Sequence, residues 1–133
     1  MNQELVKRAI MCQQESEEAE KKLGVIEEQI HELEHFAKGL DEIKKIGGKE
    51  VLASVGKGVF VKAEAKDDGL FVNVGAGVFV KKSAVETKGV IEDQVRKFKH
   101  VRIQLMQEIE NYACELRLML EELEKEKAGQ EEK

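Results

Sequence analysis

Two long stretches of the chain place apolar residues at alternating intervals of four and three. The first series runs from Leu5 to Leu40 without a missed step. The second runs from Ile91 to Leu123, and only Arg102 interrupts its apolar residues. A spacing of this kind sustained over several heptads is typical of a coiled coil. Each apolar stripe is too narrow to stabilise an isolated helix, so each requires a partner helix.

The two helical stretches have similar lengths and flank a segment of different composition, which can reverse the chain. This arrangement predicts an antiparallel coiled-coil hairpin within one molecule, with Leu40 near Ile91 and Leu5 near Leu123. Both chain termini then lie at one end of the helix pair, which we call the terminal end. The alternative is pairing between two molecules in a long dimeric rod.

Several apolar residues near the terminal end fall outside the 4–3 series. A single exposed Ile or Leu on a helix needs no explanation, but several from both helices converging at one end indicate an exposed apolar patch. The residues concerned are Val6, Ile10, Met11, Leu118 and Leu120.

The central segment contains an internal repeat. The eight residues 55–62 read Val-Gly-Lys-Gly-Val-Phe-Val-Lys, and residues 74–81 match them at seven of the eight positions. A short apolar run precedes each copy, and a Gly-x-Gly turn between two apolar runs is typical of a β-hairpin. The sequence therefore predicts two β-hairpins joined at a turn over Asp67, Asp68 and Gly69. The domain boundaries that follow are 1–46 for the first helix, 47–82 for the hairpins, and 83–133 for the second helix with a charged tail.

Four short strands cannot close a barrel, so the hairpins leave apolar edges. Such edges pair with other chains unless something covers them. The physical expectation is that the chain forms oligomers through this segment.

The composition and charge of the chain argue against several classes of function. Charged residues make up 37% of the chain, aromatic residues only 5%, and the net charge is −5. An acidic chain without a basic block is not expected to bind nucleic acid. No apolar run is long enough for a membrane span, and no signal peptide is recognisable. Two cysteines do not form a disulfide framework, which favours a reducing, cytoplasmic compartment.

One motif resembles a catalytic site. His31-Glu32-Leu33-Glu34-His35 matches the H-E-x-x-H pattern of zinc peptidases. However, Leu33 belongs to the 4–3 series, which places His31 and His35 on the outer face of the helix, where no cleft excludes water. We therefore predict no metal site there.

The remaining candidates for chemistry are weaker. Neither glycine pair opens a helix as a phosphate-binding loop does, so both are interpreted as turns. Cys12 belongs to the 4–3 series and Cys114 does not, which argues against a redox pair. The sequence thus predicts no catalytic residue, no cofactor and no enzymatic activity.

The layout of a coiled-coil helix, two Val-Gly-x-Gly hairpins and a second coiled-coil helix resembles the prefoldin α-class subunit, and the resemblance covers essentially the whole chain. The most specific residues are 55–64 and 74–82, which belong to the two hairpins. Because the β class has a single hairpin, two hairpins indicate the α class. The resemblance implies a mainly α fold whose hairpins join a β-barrel between subunits. It also implies an ATP-independent holdase in an α2β4 hexamer, which passes unfolded proteins to a group II chaperonin.

The resemblance also suggests residue roles. Residues 49–82 would form the assembly platform, and the apolar residues of the terminal end would contact clients. Predicted client-contacting residues are Val6, Ile10, Met11, Leu118, Met119 and Leu120. Predicted interface residues are Val51, Leu52, Val55, Val59, Val61, Leu70, Val72, Val74, Val78 and Val80.

Two alternatives remain open. The basic Lys57 in the first turn, and Ser16 and Arg102 in the 4–3 series, depart from a regular pattern. A homomeric, filament-forming prefoldin relative and a structural coiled-coil adaptor are both compatible with the sequence.

Overall fold

The computed structural model describes residues 2–66 and 69–131. In chain order, helix α1 (Gln3–Ile43) and a 3-10 turn (Lys44–Ile46) precede strands β1 (Glu50–Gly56), β2 (Val59–Glu64), β3 (Leu70–Asn73) and β4 (Phe79–Lys82), and helix α2 (Ala84–Glu131) follows. The predicted fold, two long helices with two antiparallel β-hairpins between them, is confirmed. Asp67 and Asp68 of the predicted turn and the last two residues of the charged tail lie outside the described residues.

The chain divides into two compact units, and the first comprises residues 1–30 and 97–133. Within it, the Cys12 thiol donates a hydrogen bond to the Tyr112 carbonyl oxygen at 3.3 Å, and Val25 of α1 shares a groove with Val101 of α2. Later residues of α1 thus lie beside earlier residues of α2, so the two helices run antiparallel. Every residue of the predicted 4–3 series in this unit is buried or half-buried, including Ser16 and Arg102. These residues form the seam between the helices, and the fully buried ones are Leu5, Ala9, Cys12, Ala19, Ile30 and Leu105.

The second unit comprises residues 31–96, which include the hairpins and the adjoining parts of both helices. Leu40 has the most buried side chain, with 1% of its surface exposed, and Ile91 and Val95 of α2 are also buried. At the surface of this helix pair the Lys88 ammonium lies 3.0 Å from the Asp41 carboxylate. An exposed ion pair of this kind contributes up to about 1 kcal/mol, so apolar burial is the main source of stability.

The strands form two separate two-stranded antiparallel sheets, β1 with β2 and β3 with β4. Val51 pairs with Ala63 in the first sheet, and Val72 pairs with Val80 in the second. The glycines on either side of each turn have positive φ, as the sequence predicts. Lys57 and Ala76 between them also have φ of 51°, which the sequence analysis did not foresee. The two central residues of each turn, Lys57 with Gly58 and Ala76 with Gly77, thus both have positive φ. This is typical of a type I′ turn, which matches the twist of the flanking strands.

Helix α2 begins at the N-cap residue Ser83. The Ser83 hydroxyl accepts a hydrogen bond from the Glu86 amide at 3.1 Å and donates one to the Glu86 carboxylate at 3.2 Å. The Thr87 amide donates to the Ser83 carbonyl at 3.0 Å. The pattern Ser-x-x-Glu is a recognised helix start, so the sequence carried this information.

We expect Ser83→Ala to lower the free energy of unfolding by about 1 kcal/mol, because it removes the acceptor of the Glu86 amide. Urea unfolding followed by far-ultraviolet circular dichroism, at fixed protein concentration, measures the change. Ser83→Asp is the control, since aspartate also caps a helix and should retain most of the stability. Equal losses in the two variants would contradict the capping role.

Candidate functional site

The site residues predicted from the sequence lie on two exposed apolar surfaces. The first, the terminal surface, comprises the six predicted client-contacting residues. Four of them expose about half of their side chains or more, at 50% for Ile10, 59% for Met11, 58% for Leu118 and 50% for Leu120. Val6 and Met119 are half-buried, and Met119 is itself a seam residue. The four exposed side chains are thus available for binding, whereas Met119 is partly committed to the helix pair.

The exposed members of the terminal surface lie outside the seam. Ile10 and Met11 fall between the seam residues Ala9 and Cys12, so both project from the outer side of α1. On α2, Leu118 and Leu120 lie on either side of the seam residue Met119. All four side chains are exposed outside the seam, so they are accessible to an extended chain.

Exposed apolar side chains are not confined to the terminal end. In the same unit Val25 and Val101 are exposed beside an open groove of about 370 Å³, and Ile103 and Met106 are exposed on α2. The sequence analysis missed these residues. Their signal was present, since each is an apolar residue outside the 4–3 series.

The second surface belongs to the hairpins, and we call it the hairpin surface. It comprises the ten predicted interface residues. Seven of them are exposed, and Val51, Leu70 and Val72 are half-buried. Leu70 and Val72 line an apolar groove of about 460 Å³ together with Leu33 and Leu40 of α1 and Ile91 of α2. Phe71 and Asn73 of the same strand also border this groove, so β3 lies beside the helices while Val74, Val78 and Val80 remain exposed.

The sequence analysis also missed the aromatic residues of the hairpins. Phe60, Phe71 and Phe79 have 55%, 64% and 62% of their side chains exposed. Phe60 and Phe79 occupy the same position in the two copies of the repeat, which was the available signal. Exposed aromatic side chains are enriched at protein interfaces, so these residues strengthen the case for the hairpins as a contact surface.

Of the histidines and cysteines singled out for possible chemistry, all but Cys12 are exposed. His31 and His35 are both exposed on α1. No cluster of three or more potential metal ligands occurs within residues 2–66 and 69–131. Over the same ranges, neither helix has an apolar stretch that could cross a bilayer. Cys114 is exposed and Cys12 is buried, and both thiols are free.

The seam around Cys12 has an unusual electrostatic environment. Burial raises the pKa of the Cys12 thiol, and the nearby carboxylates of Glu115 and Glu15 raise it further. Burial likewise raises the pKa of the Tyr112 hydroxyl. The charge of Glu15 and its hydrogen bond to that hydroxyl raise this pKa further, and the charges of Glu108 and Glu115 have smaller effects in the same direction. Both groups thus keep their protons more firmly in the folded protein.

We expect stability to fall as pH rises above about 9.0, the ordinary pKa of a thiol. Above this pH the unfolded chain releases the Cys12 proton while the folded chain retains it, so the free energy of unfolding decreases. Urea unfolding at pH 8 and pH 10 measures the effect. Between these two pH values the free energy of unfolding should decrease less in Cys12→Ala than in the unmodified chain. Equal decreases would show that Cys12 does not cause the pH dependence.

The fold and these exposed apolar surfaces define a protein of paired long helices with two β-hairpins between them. A family model described as prefoldin subunit matches residues 12–129. Among solved structures, the chain is similar to filamentous PFD from Methanocaldococcus jannaschii, determined by cryo-EM. The identity is 26%, the match covers 90% of this chain and 98% of that chain, and the TM-score is 0.72. No curated protein matches the sequence.

The chain belongs to the prefoldin family. The predicted family is therefore confirmed, as is the prediction that the protein is not an enzyme, because prefoldin is a family of non-enzymatic chaperone folds.

Proposed function

We propose that the chain is an α-class prefoldin subunit that acts as an ATP-independent holdase in the cytoplasm. The observation that carries the proposal is the exposure of Ile10, Met11, Leu118 and Leu120 beside a seam whose own residues are buried or half-buried. The presence of two hairpins supports the α class, which the sequence resemblance first suggested. Unfolded proteins expose apolar side chains, and these would bind to the terminal surface.

Each apolar side chain that a client buries on this surface contributes up to about 1.5–3 kcal/mol before ordering costs are counted. A single subunit would therefore hold a client weakly. Several subunits on one body act together through a high effective concentration, which converts weak contacts into useful avidity. The flexible side chain of Met11 can adapt to clients of varied shape.

We propose that the hairpin surface joins sister subunits. In an α2β4 hexamer, the exposed strand edges and the apolar residues of residues 49–82 would complete a β-barrel with β-class partners. The terminal ends would remain free to take up clients and release them to a group II chaperonin. Unpaired edges and the exposed Phe60, Phe71 and Phe79 support assembly through this segment.

The direct test is aggregation of a chemically unfolded protein diluted into buffer, followed by light scattering. The assembled protein should suppress scattering in proportion to its concentration, and neither ATP nor ADP should change the result. Serum albumin at equal mass is the control for non-specific crowding. Failure to suppress aggregation, together with tight binding of one folded partner, would support the structural adaptor instead.

A homomeric filament is the second candidate, and one observation favours it. The M. jannaschii protein to which this chain is similar is filamentous. Native mass spectrometry of the chain alone, and of the chain co-expressed with a β-class subunit, distinguishes the two assemblies. A closed complex of two copies with four β-class subunits would support the hexamer, and long homomeric series would support the filament.

A further inference from the structure

The region next to the terminal surface carries a strongly uneven charge. Residues 9–20 of α1 and 105–116 of α2 include four and three glutamates respectively, and no Lys, Arg or His. We call these two segments the acidic band. The band holds more negative charge than the net −5 of the whole chain. Its glutamates, all exposed, are Glu15, Glu17, Glu18, Glu20, Glu108, Glu110 and Glu115.

The two segments of the band face each other across one helix pair. The 3.3 Å hydrogen bond from Cys12 to the Tyr112 carbonyl joins their centres. The carboxylates of Glu15, Glu108 and Glu115 all lie close enough to the Tyr112 hydroxyl to raise its pKa, although burial is the largest cause of that increase. The glutamates of the two helices therefore create one local region of negative potential.

Apolar side chains are interspersed with these carboxylates. Met11 lines an open groove of about 370 Å³ with Gln14, Glu15, Glu17, Glu18 and Lys21. Ile10 lies in the same segment and Met106 in the facing one, and both are half exposed or more. Basic residues border the band on both sides. Lys21 lines the same groove, and the others are Lys7, Arg8, Lys22, Arg102 and Arg117.

We infer that the terminal surface and the acidic band together select unfolded segments in which apolar side chains are interspersed with Lys or Arg. This inference rests on the proposed holdase function and names the class of client. Apolar contact alone discriminates little between unfolded chains. A basic side chain that lies beside a glutamate relieves repulsion among the carboxylates, whereas an acidic side chain adds to it.

The size of the expected preference for basic segments follows from the exposure of the glutamates. One exposed ion pair adds at most about fivefold to an affinity, and three acting together add about tenfold or more. Because the charges are exposed, salt should weaken the preference, since the Debye length falls from about 14 Å at 50 mM to about 6 Å at 300 mM.

Three unstructured peptides of 18 residues provide the test. Each contains the same six leucines, and the intervening positions carry four Lys, four Gln or four Glu with Gly and Ser elsewhere. Each peptide carries an N-terminal fluorescein, and its fluorescence anisotropy reports binding whatever aromatic residues the partner subunits contain. Titration of the assembled full-length protein should show the Lys peptide binding about tenfold more tightly than the Gln peptide, and the Glu peptide most weakly.

The matched variants locate the effect. Glu15→Gln, Glu18→Gln and Glu115→Gln combined should abolish most of the preference for the Lys peptide and leave binding of the Gln peptide unchanged. Glu27→Gln, Glu28→Gln and Glu32→Gln, which remove three exposed carboxylates of α1 outside the band, should keep it. If the triple variant does not assemble, the single variants Glu15→Gln, Glu18→Gln and Glu115→Gln test the same point, since each should reduce the preference for the Lys peptide.

The outcomes separate this inference from the function on which it rests. Equal binding of the Lys and Gln peptides would overturn the charge preference and leave the holdase function intact. Absence of binding by all three peptides would overturn both. Binding of a folded basic protein without binding of the Lys peptide would show that the band docks a folded partner, which also overturns the inference.

Discussion

Leu40→Ala is expected to lower the free energy of unfolding by about 2–5 kcal/mol. The Leu40 side chain has only 1% of its surface exposed, and with Leu33, Leu70 and Ile91 it lines the groove between the helices and the second hairpin. Truncation removes buried apolar surface and leaves a cavity that rigid neighbours fill only in part. The shift in the urea midpoint, at fixed protein concentration, measures the loss.

Leu118→Ala is the matched control, since it makes the same substitution in a helix at a side chain that is 58% exposed. Substitutions at exposed positions usually change stability by less than about 0.5 kcal/mol. A similar loss of stability in both variants would mean that Leu118 is buried in the assembled protein, and the terminal surface would then be smaller than we describe.

Combined Ile10→Ser and Leu118→Ser substitutions should remove most of the suppression of client aggregation while the assembled mass stays unchanged. The two side chains lie on different helices of the terminal surface, and both are at least half exposed. Replacing them with serine removes apolar surface that a client would bury, and multivalent binding multiplies each loss. Light scattering measures activity, and native mass spectrometry measures assembly.

Val25→Ser combined with Ile103→Ser is the control for position. Both residues are exposed apolar residues of the same unit, at 58% and 61%, but they lie away from the terminal end. Activity should be largely retained in this variant. Equal loss in the two double variants would place client binding along the helix pair in general, and full activity in the Ile10 and Leu118 variant would remove the terminal surface from the mechanism.

Burial in the coiled coil could be predicted almost residue by residue. All members of both 4–3 series are buried or half-buried, even Ser16 and Arg102, because a heptad repeat places them on one side of a helix regardless of their chemistry. The predicted antiparallel pairing agrees with the contact between Cys12 and Tyr112. The functional surfaces were less predictable. Phe60, Phe71 and Phe79 fit the general pattern of strand residues, and nothing in that pattern indicated that their side chains would be exposed.

The sequence by itself determined which residues of each helix form the seam, the positions of the two hairpins and the family, because each follows from short-range periodicity or from a repeated motif. The structure decided between pairing within one molecule and pairing between two, since Cys12 of α1 contacts Tyr112 of α2 in the same chain. The tertiary structure alone decided how exposed each apolar residue outside the seam is, which backbone angles Lys57 and Ala76 adopt, and that glutamates of both helices act together around Tyr112. These properties depend on atoms from residues about a hundred positions apart or on the geometry of a closed turn. No local pattern in the chain specifies them.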